Sequence, residues 1–174
     1  MVINGFGLLR RQPIKNMFAH KVSEHGVTHG LGEAGYDIRI KQEIQFCSTD
    51  HIRHHVLVCE RNDLGQIIDY KKKMGRFVLA SAIEEFDMPS DLIGIVHDKS
   101  TWARQGLSVF NTVIESGWKG HLTLELVYHG NAGLIIPAGA AIAQVVFHQT
   151  VEHRYYSGRY QNQADEPVSA IASV

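Results

Sequence analysis

At 174 residues, with 44% hydrophobic and 20% charged side chains, the chain has the size and composition of one ordinary globular domain, residues 1–174. Its formal charge is −1 with no long basic run, which excludes the cationic footprint that grips a nucleic-acid backbone. No stretch approaches the ~18 apolar residues of a membrane span, the basic residues of MVINGFGLLRR follow its apolar run rather than precede it, and Cys47 and Cys59 make no CxxC pair. A cytoplasmic protein with reduced thiols is expected.

Residues 1–33 carry few signals. Residues 8–11 and 14–18 read as short strand or helix pieces around Pro13, and Gly26, Gly30 and Gly32 mark a loop. Residues 36–40 (YDIRI) alternate as a strand does, and 43–46 continue it. Residues 49–75 are polar and loop-like, broken by a short apolar run at 56–59. Strands follow at 75–82, 92–96, 107–110, 122–128, 134–136 and 142–147, punctuated by glycines and Pro137. No long amphipathic helix interrupts them, so an all-β barrel or sandwich is expected. From about 151 to 174 the chain becomes a tail. Its first part, VEHRYYSGRYQNQ, is rich in aromatic, basic and amide groups, and it either frays or folds over a site.

Several constellations bear chemistry. Lys99, Ser100, Thr101 and Arg104 place two cations and two hydroxyls within six residues, a donor set suited to phosphate oxygens. The GxxxxGK frame of a Walker loop is absent, and a solvated turn with Ser100 as helix N-cap is the plain alternative. Glu125 lies in HLTLELV, with Leu122, Leu124 and Leu126 on one strand face and Thr123 and Glu125 on the other. If it faces water it is unremarkable; if buried, its pKa rises toward the range useful for proton transfer. His51, His54 and His55 lack the further ligands of a metal centre and read as a surface loop, so no protein metal site is expected. The H-x-E and P-C-x-x-C motifs of zinc deaminases do not occur. In the tail, Tyr155, Tyr156, Arg159, Tyr160, Asn162 and Gln163 form a possible ligand clamp or a disordered end.

Taken in order, these segments resemble the dCTP deaminase branch of the trimeric dUTPase-like superfamily. AGYDIRI, DKSTWARQGL, NTVIESGWKGHLTLEL, AIAQVVF and the closing YSGRYQNQ match its motifs from about residue 30 to 163. Glu125 stands where dUTPases carry an apolar residue, and the tail lacks their Gly-rich arm. The resemblance implies a distorted β-barrel of the β-clip type with short helices, forming a homotrimer with sites at subunit interfaces. It implies zinc-independent deamination of dCTP to dUTP and ammonia, with Glu125 as general base and acid on a water attacking C4. Ser100 and Arg104 then help hold water, base and phosphates, Lys99 and Arg104 oppose the triphosphate charge, and Thr101 is among the substrate-binding residues. Glu115, Thr123 and Leu124 fall at sugar and base contacts, and Tyr156 (or Tyr155), Arg159 and Gln163 close over the nucleotide. Mg²⁺ rides on the phosphates rather than on protein ligands, and dTTP is an expected inhibitor. Position 115 is Glu where many members carry Asp, which argues against strong diphosphatase activity. The rivals are a bifunctional enzyme releasing dUMP and pyrophosphate, a plain dUTPase, a relative acting on another cytosine nucleotide, and a non-catalytic nucleotide-binding trimer.

Overall fold

The computed structural model describes residues 1–49 and 53–172; His51 and the last two residues of the expected tail lie outside them. The first half runs β1 (Val2–Ile3), α1 (Gly5–Arg11), β2 (Lys21–Glu24), β3 (Val27–Leu31), β4 (Tyr36–Arg39), β5 (Glu43–Thr49), β6 (Arg53–Arg61), β7 (Ile67–Met74) and β8 (Phe77–Asp87). The second runs β9 (Leu92–Asp98), α2 (Ser100–Ala103), β10 (Leu107–Val109), β11 (Val113–Ile114), β12 (Lys119–Tyr128), β13 (Leu134–Ile136) and β14 (Ala141–Gln149). The mainly-β fold expected from the strand spacing is the fold adopted.

Three sheets enclose one core. The largest is ordered β11-β9-β14-β4-β3-β2, with β1 also on β14; the others are β10-β12-β8 and β13-β5-β6-β7. Inward positions of several strands supply the core, among them Ile38 on β4, Phe86 on β8, Leu124 and Leu126 on β12 and Phe147 on β14. Buried Glu84 on β8 ties the first and second sheets together, accepting from the Arg39 backbone N–H at 2.8 Å and from its Nε at 2.9 Å. Truncating one partner of such a pair strands the other charge, at a cost of about 3–5 kcal/mol.

Two segments differ from the sequence reading. The glycine-marked loop near residues 26–32 is a β2–β3 hairpin, with Gly30 inside β3. Its φ is +93°, and a β-carbon there would meet the His20 carbonyl at 2.5 Å, so the glycine marks a close backbone approach within a strand. Within the polar stretch at 49–75, residues 53–74 form the long β6–β7 hairpin. Asn62 makes its turn, its Oδ1 accepting from the N–H groups of Leu64 (3.1 Å) and Gln66 (2.9 Å). Every residue of β7 is exposed, so ladder hydrogen bonds rather than a buried face hold it, and no period-2 pattern marks it in the sequence. The ambiguous 8–11 segment belongs to α1, which closes at Gln12 in the left-handed region just before Pro13.

Candidate functional site

The site is built on β12. This strand lies between β8 and β10, with Glu125 opposite Leu79 on β8. The register then breaks: Thr123 opposes Ser81, but His121 opposes Glu85, so residues 82–84 of β8 stand against Leu122 alone. The backbone groups at the break are satisfied by neighbours, Gln42 Oε1 accepting from Ser81 N–H at 2.9 Å and Lys41 N–H donating to the Ser81 carbonyl at 2.9 Å. At the break Leu122 and Thr123, consecutive residues, both line one pocket, which strict alternation forbids.

That pocket has a volume of about 520 Å³. Glu125 lies half-buried in its wall, and burial pushes its carboxyl above the ordinary range. Among the described residues no hydrogen bond or ion pair reaches that carboxylate, while its backbone carbonyl is fixed by the Phe110 N–H at 3.0 Å. Trp118, Leu122 and Ile114 supply apolar walls, and Glu115 reaches the rim from an exposed position. A carboxylate with raised proton affinity, free of a competing partner and facing a cavity of ligand size, can take a proton from water and return it to a leaving group.

The tail closes one side. Trp118 Nε1 donates to the Tyr160 carbonyl at 2.7 Å, Tyr156 N–H to the Ser116 carbonyl at 2.8 Å, and His121 N–H to the Gln163 carbonyl at 3.1 Å. Thr123 Oγ1 donates to Gln163 Oε1 at 3.3 Å and accepts from Val168 N–H at 3.0 Å. Of the two candidate tyrosines, Tyr156 lines the pocket and packs against the core, whereas Tyr155 stands in an adjoining groove of about 440 Å³. Arg159 lies outside the lining and donates to the Ile171 carbonyl at 2.6 Å.

The structure therefore brings together Glu115, Thr123, Glu125, Tyr156 and Gln163. It does not bring Lys99, Ser100, Thr101 or Arg104 to them. Ser100, Thr101 and Arg104 are exposed on and just after α2, where Lys99 rather than Ser100 takes the N-cap position. Lys99 donates to buried Asp37 at 2.6 Å, and Gln144 donates to the other oxygen of Asp37. Leu124 faces the core. No Lys, Arg or His lines the pocket among the described residues. Among the described residues no group of three or more His, Cys, Asp or Glu is placed to hold a metal, and no helix is long and apolar enough to cross a membrane. Trp118 escaped the sequence reading although the Gly117-Trp118 pair abuts the strand; Phe77 and Val168, also in the lining, carry no local signal.

Residues 8–150 match the family described as dCTP deaminase-like. The chain is 34% identical over 170 residues to a dCTP deaminase of Campylobacter hominis, with 89% of this chain and 88% of that protein covered. It is 34% identical over 152 residues to a dCTP deaminase of a Sulfurovum species, with 82% and 80% covered. Among solved structures it is similar in fold to the 2′-deoxycytidine 5′-triphosphate deaminase of Agrobacterium tumefaciens, with a TM-score of 0.52 at 14% identity, covering 84% of this chain and 47% of that one.

Proposed function

The chain belongs to the dCTP deaminase-like family, and from that premise we propose that it converts dCTP and water to dUTP and ammonia, with Glu125 as the acid–base. The observation that carries this reading is the half-buried carboxylate of Glu125, without a partner among the described residues, in a pocket of about 520 Å³. Glu125 takes a proton from the water that attacks C4 of cytosine, then passes protons toward N3 and the departing ammonia. Zinc has no part in this scheme, and Mg²⁺ arrives with the nucleotide, on phosphate oxygens and water.

The charge distribution supports a shared site. A triphosphate needs cations, yet the pocket contributes two carboxylates, Glu115 and Glu125, and no basic side chain among the described residues. Ser100, Thr101 and Arg104, exposed elsewhere on the same chain, are the donors proposed to enter from a second copy. Lys99 sets that segment through Asp37. A homotrimer, implied by the family resemblance, is the proposed assembly. Residues 1–174 are taken as one domain whose tail, with Tyr156, Arg159 and Gln163, closes over the nucleotide. Thr123 and Leu124 offer backbone groups to the base and Glu115 faces the sugar; dTTP competes for the same pocket, and the protein acts in the cytoplasm.

Chromatography of products after incubation with dCTP and Mg²⁺ tests the reading. dUTP as sole nucleotide product is the expected result. dUMP with pyrophosphate identifies the bifunctional alternative, with Glu115 at the rim as the first residue to vary, and unchanged dCTP overturns the proposal.

A further inference from the structure

The residues beyond Gln163 match no motif, yet they are part of the pocket. Val168 and Ala170 line it beside Glu125. The segment is fastened at three places. Asp165 comes first: its carboxylate (2.5 Å) and its own carbonyl (2.9 Å) both accept from Lys41 Nζ, and its second carboxylate oxygen lies 3.4 Å from His121 Nδ1. Next, Val168 N–H donates to Thr123 Oγ1. Last, Ile171 N–H donates to the Tyr160 hydroxyl at 3.1 Å, and its carbonyl accepts from Arg159.

Lys41 is well placed for this. Its backbone N–H is bonded to Ser81 at the register break, and Gln42 beside it holds the Ser81 N–H, so its stem is anchored to the strand next to β12. A cation on that anchor holding two oxygens of Asp165 fixes where the chain turns back toward Thr123.

The segment is a wall rather than a plug. With Val168 and Ala170 in place the cavity still measures about 520 Å³, inside the range of roughly 300–1,000 Å³ that ligand pockets occupy. Wall and nucleotide therefore coexist. We propose that residues 165–171 form the outer wall of the deaminase pocket, and that Lys41 and Asp165 are positioning residues that clasp it closed; the inference rests on this pocket being the deaminase site.

Both clasp side chains are about half exposed, 42% and 50%, so water screens their attraction and the effect on closure is modest. Opening the wall lowers the fraction of enzyme ready to bind, which raises the apparent KM, while saturating nucleotide closes the wall again and spares kcat.

The test is a charge exchange: Lys41→Asp, Asp165→Lys and the double variant, followed by hydrogen exchange and by dCTP kinetics. The Val168 and Ile171 amides are expected to exchange about fivefold faster in each single variant, with KM rising by a similar factor, and both to return toward wild type in the double variant. Unchanged exchange in the single variants, or a double variant no better than either, overturns the clasp. Lost protection with unchanged KM overturns its role in binding. A wild-type protein that leaves dCTP intact defeats the deaminase reading, whereas the exchange pattern decides the clasp without any turnover.

Discussion

Gln163 lies directly over Gly120: a β-carbon on the glycine would come within 2.5 Å of the Gln163 backbone nitrogen and 2.7 Å of its carbonyl oxygen. Gly120 also holds φ at +127°, a conformation that side chains resist. The tail thus crosses β12 where the strand has no side chain to block it. Gly120→Ala is expected to lift the tail and raise the KM for dCTP about tenfold or more, with the strand content unchanged by circular dichroism. Wild-type kinetics in this variant would refute the seating of the tail.

Glu125→Gln is expected to abolish ammonia release from dCTP, by about 10³-fold or more, while binding measured by calorimetry persists. The same change bears on stability. Burial raises the Glu125 pKa in the folded protein, so the fold loses stability as pH rises from the unfolded value through the folded one. The glutamine variant is therefore expected to melt higher than wild type at pH 8, the gain vanishing at pH 4. The wild-type acid limb of kcat/KM is expected above the ordinary glutamate value. Deaminase activity retained in Glu125→Gln removes the residue from its role.

A site shared between copies has a statistical signature. Arg104→Ala and Glu125→Gln subunits, each inactive alone, are expected to regain about a quarter of wild-type activity when dissociated and reassembled at equal amounts, since half the chains keep Glu125 and half their neighbours keep Arg104. No recovery on mixing means that both residues act within one chain.

His29 is buried on β3 with its Nδ1 unpartnered among the described residues, its Nε2 3.6 Å from Glu24, and its ring edge-on to Phe18 at 5.0 Å. Burial, then the Arg39 charge, hold its pKa below the ordinary 6.5, against the weaker pull of Glu24 and Glu84. Stability from this group is complete above pH 6.5 and is lost as pH falls toward the folded value, because the unfolded chain takes up the proton first. His29→Phe keeps the ring contact and is expected to flatten the fall in urea midpoint between pH 7.5 and 5.5. An unchanged slope assigns the acid sensitivity elsewhere.

Legibility in the sequence followed burial. Strands 122–128 and 142–147 were plain because one face is in the core, whereas β7, exposed on both faces, left no period to read. Gly30 has the sequence signature of loop punctuation although it is a strand residue pressed against a carbonyl. Within the site, Glu115, Thr123, Glu125, Tyr156 and Gln163 were nameable and meet in one pocket. Three things were hidden. Lys99 is paired with an aspartate 62 residues earlier, the register of β8 against β12 is a tertiary property, and Val168 carries no pattern that distinguishes a wall from a frayed end.

The break between β8 and β12 sets regularity against chemistry. Its offset is two residues, an even number, so deleting two of residues 82–84 would restore one unbroken ladder and leave the side chains beyond the break on their present faces. The mended sheet would look sounder by every backbone criterion. Yet Leu122 and Thr123 would again point to opposite sides, the anchor of Lys41 at Ser81 would lose its gap, and the cavity beside Glu125 would close. In this strand pair the irregularity shapes the pocket, and a more ideal sheet is a less useful one.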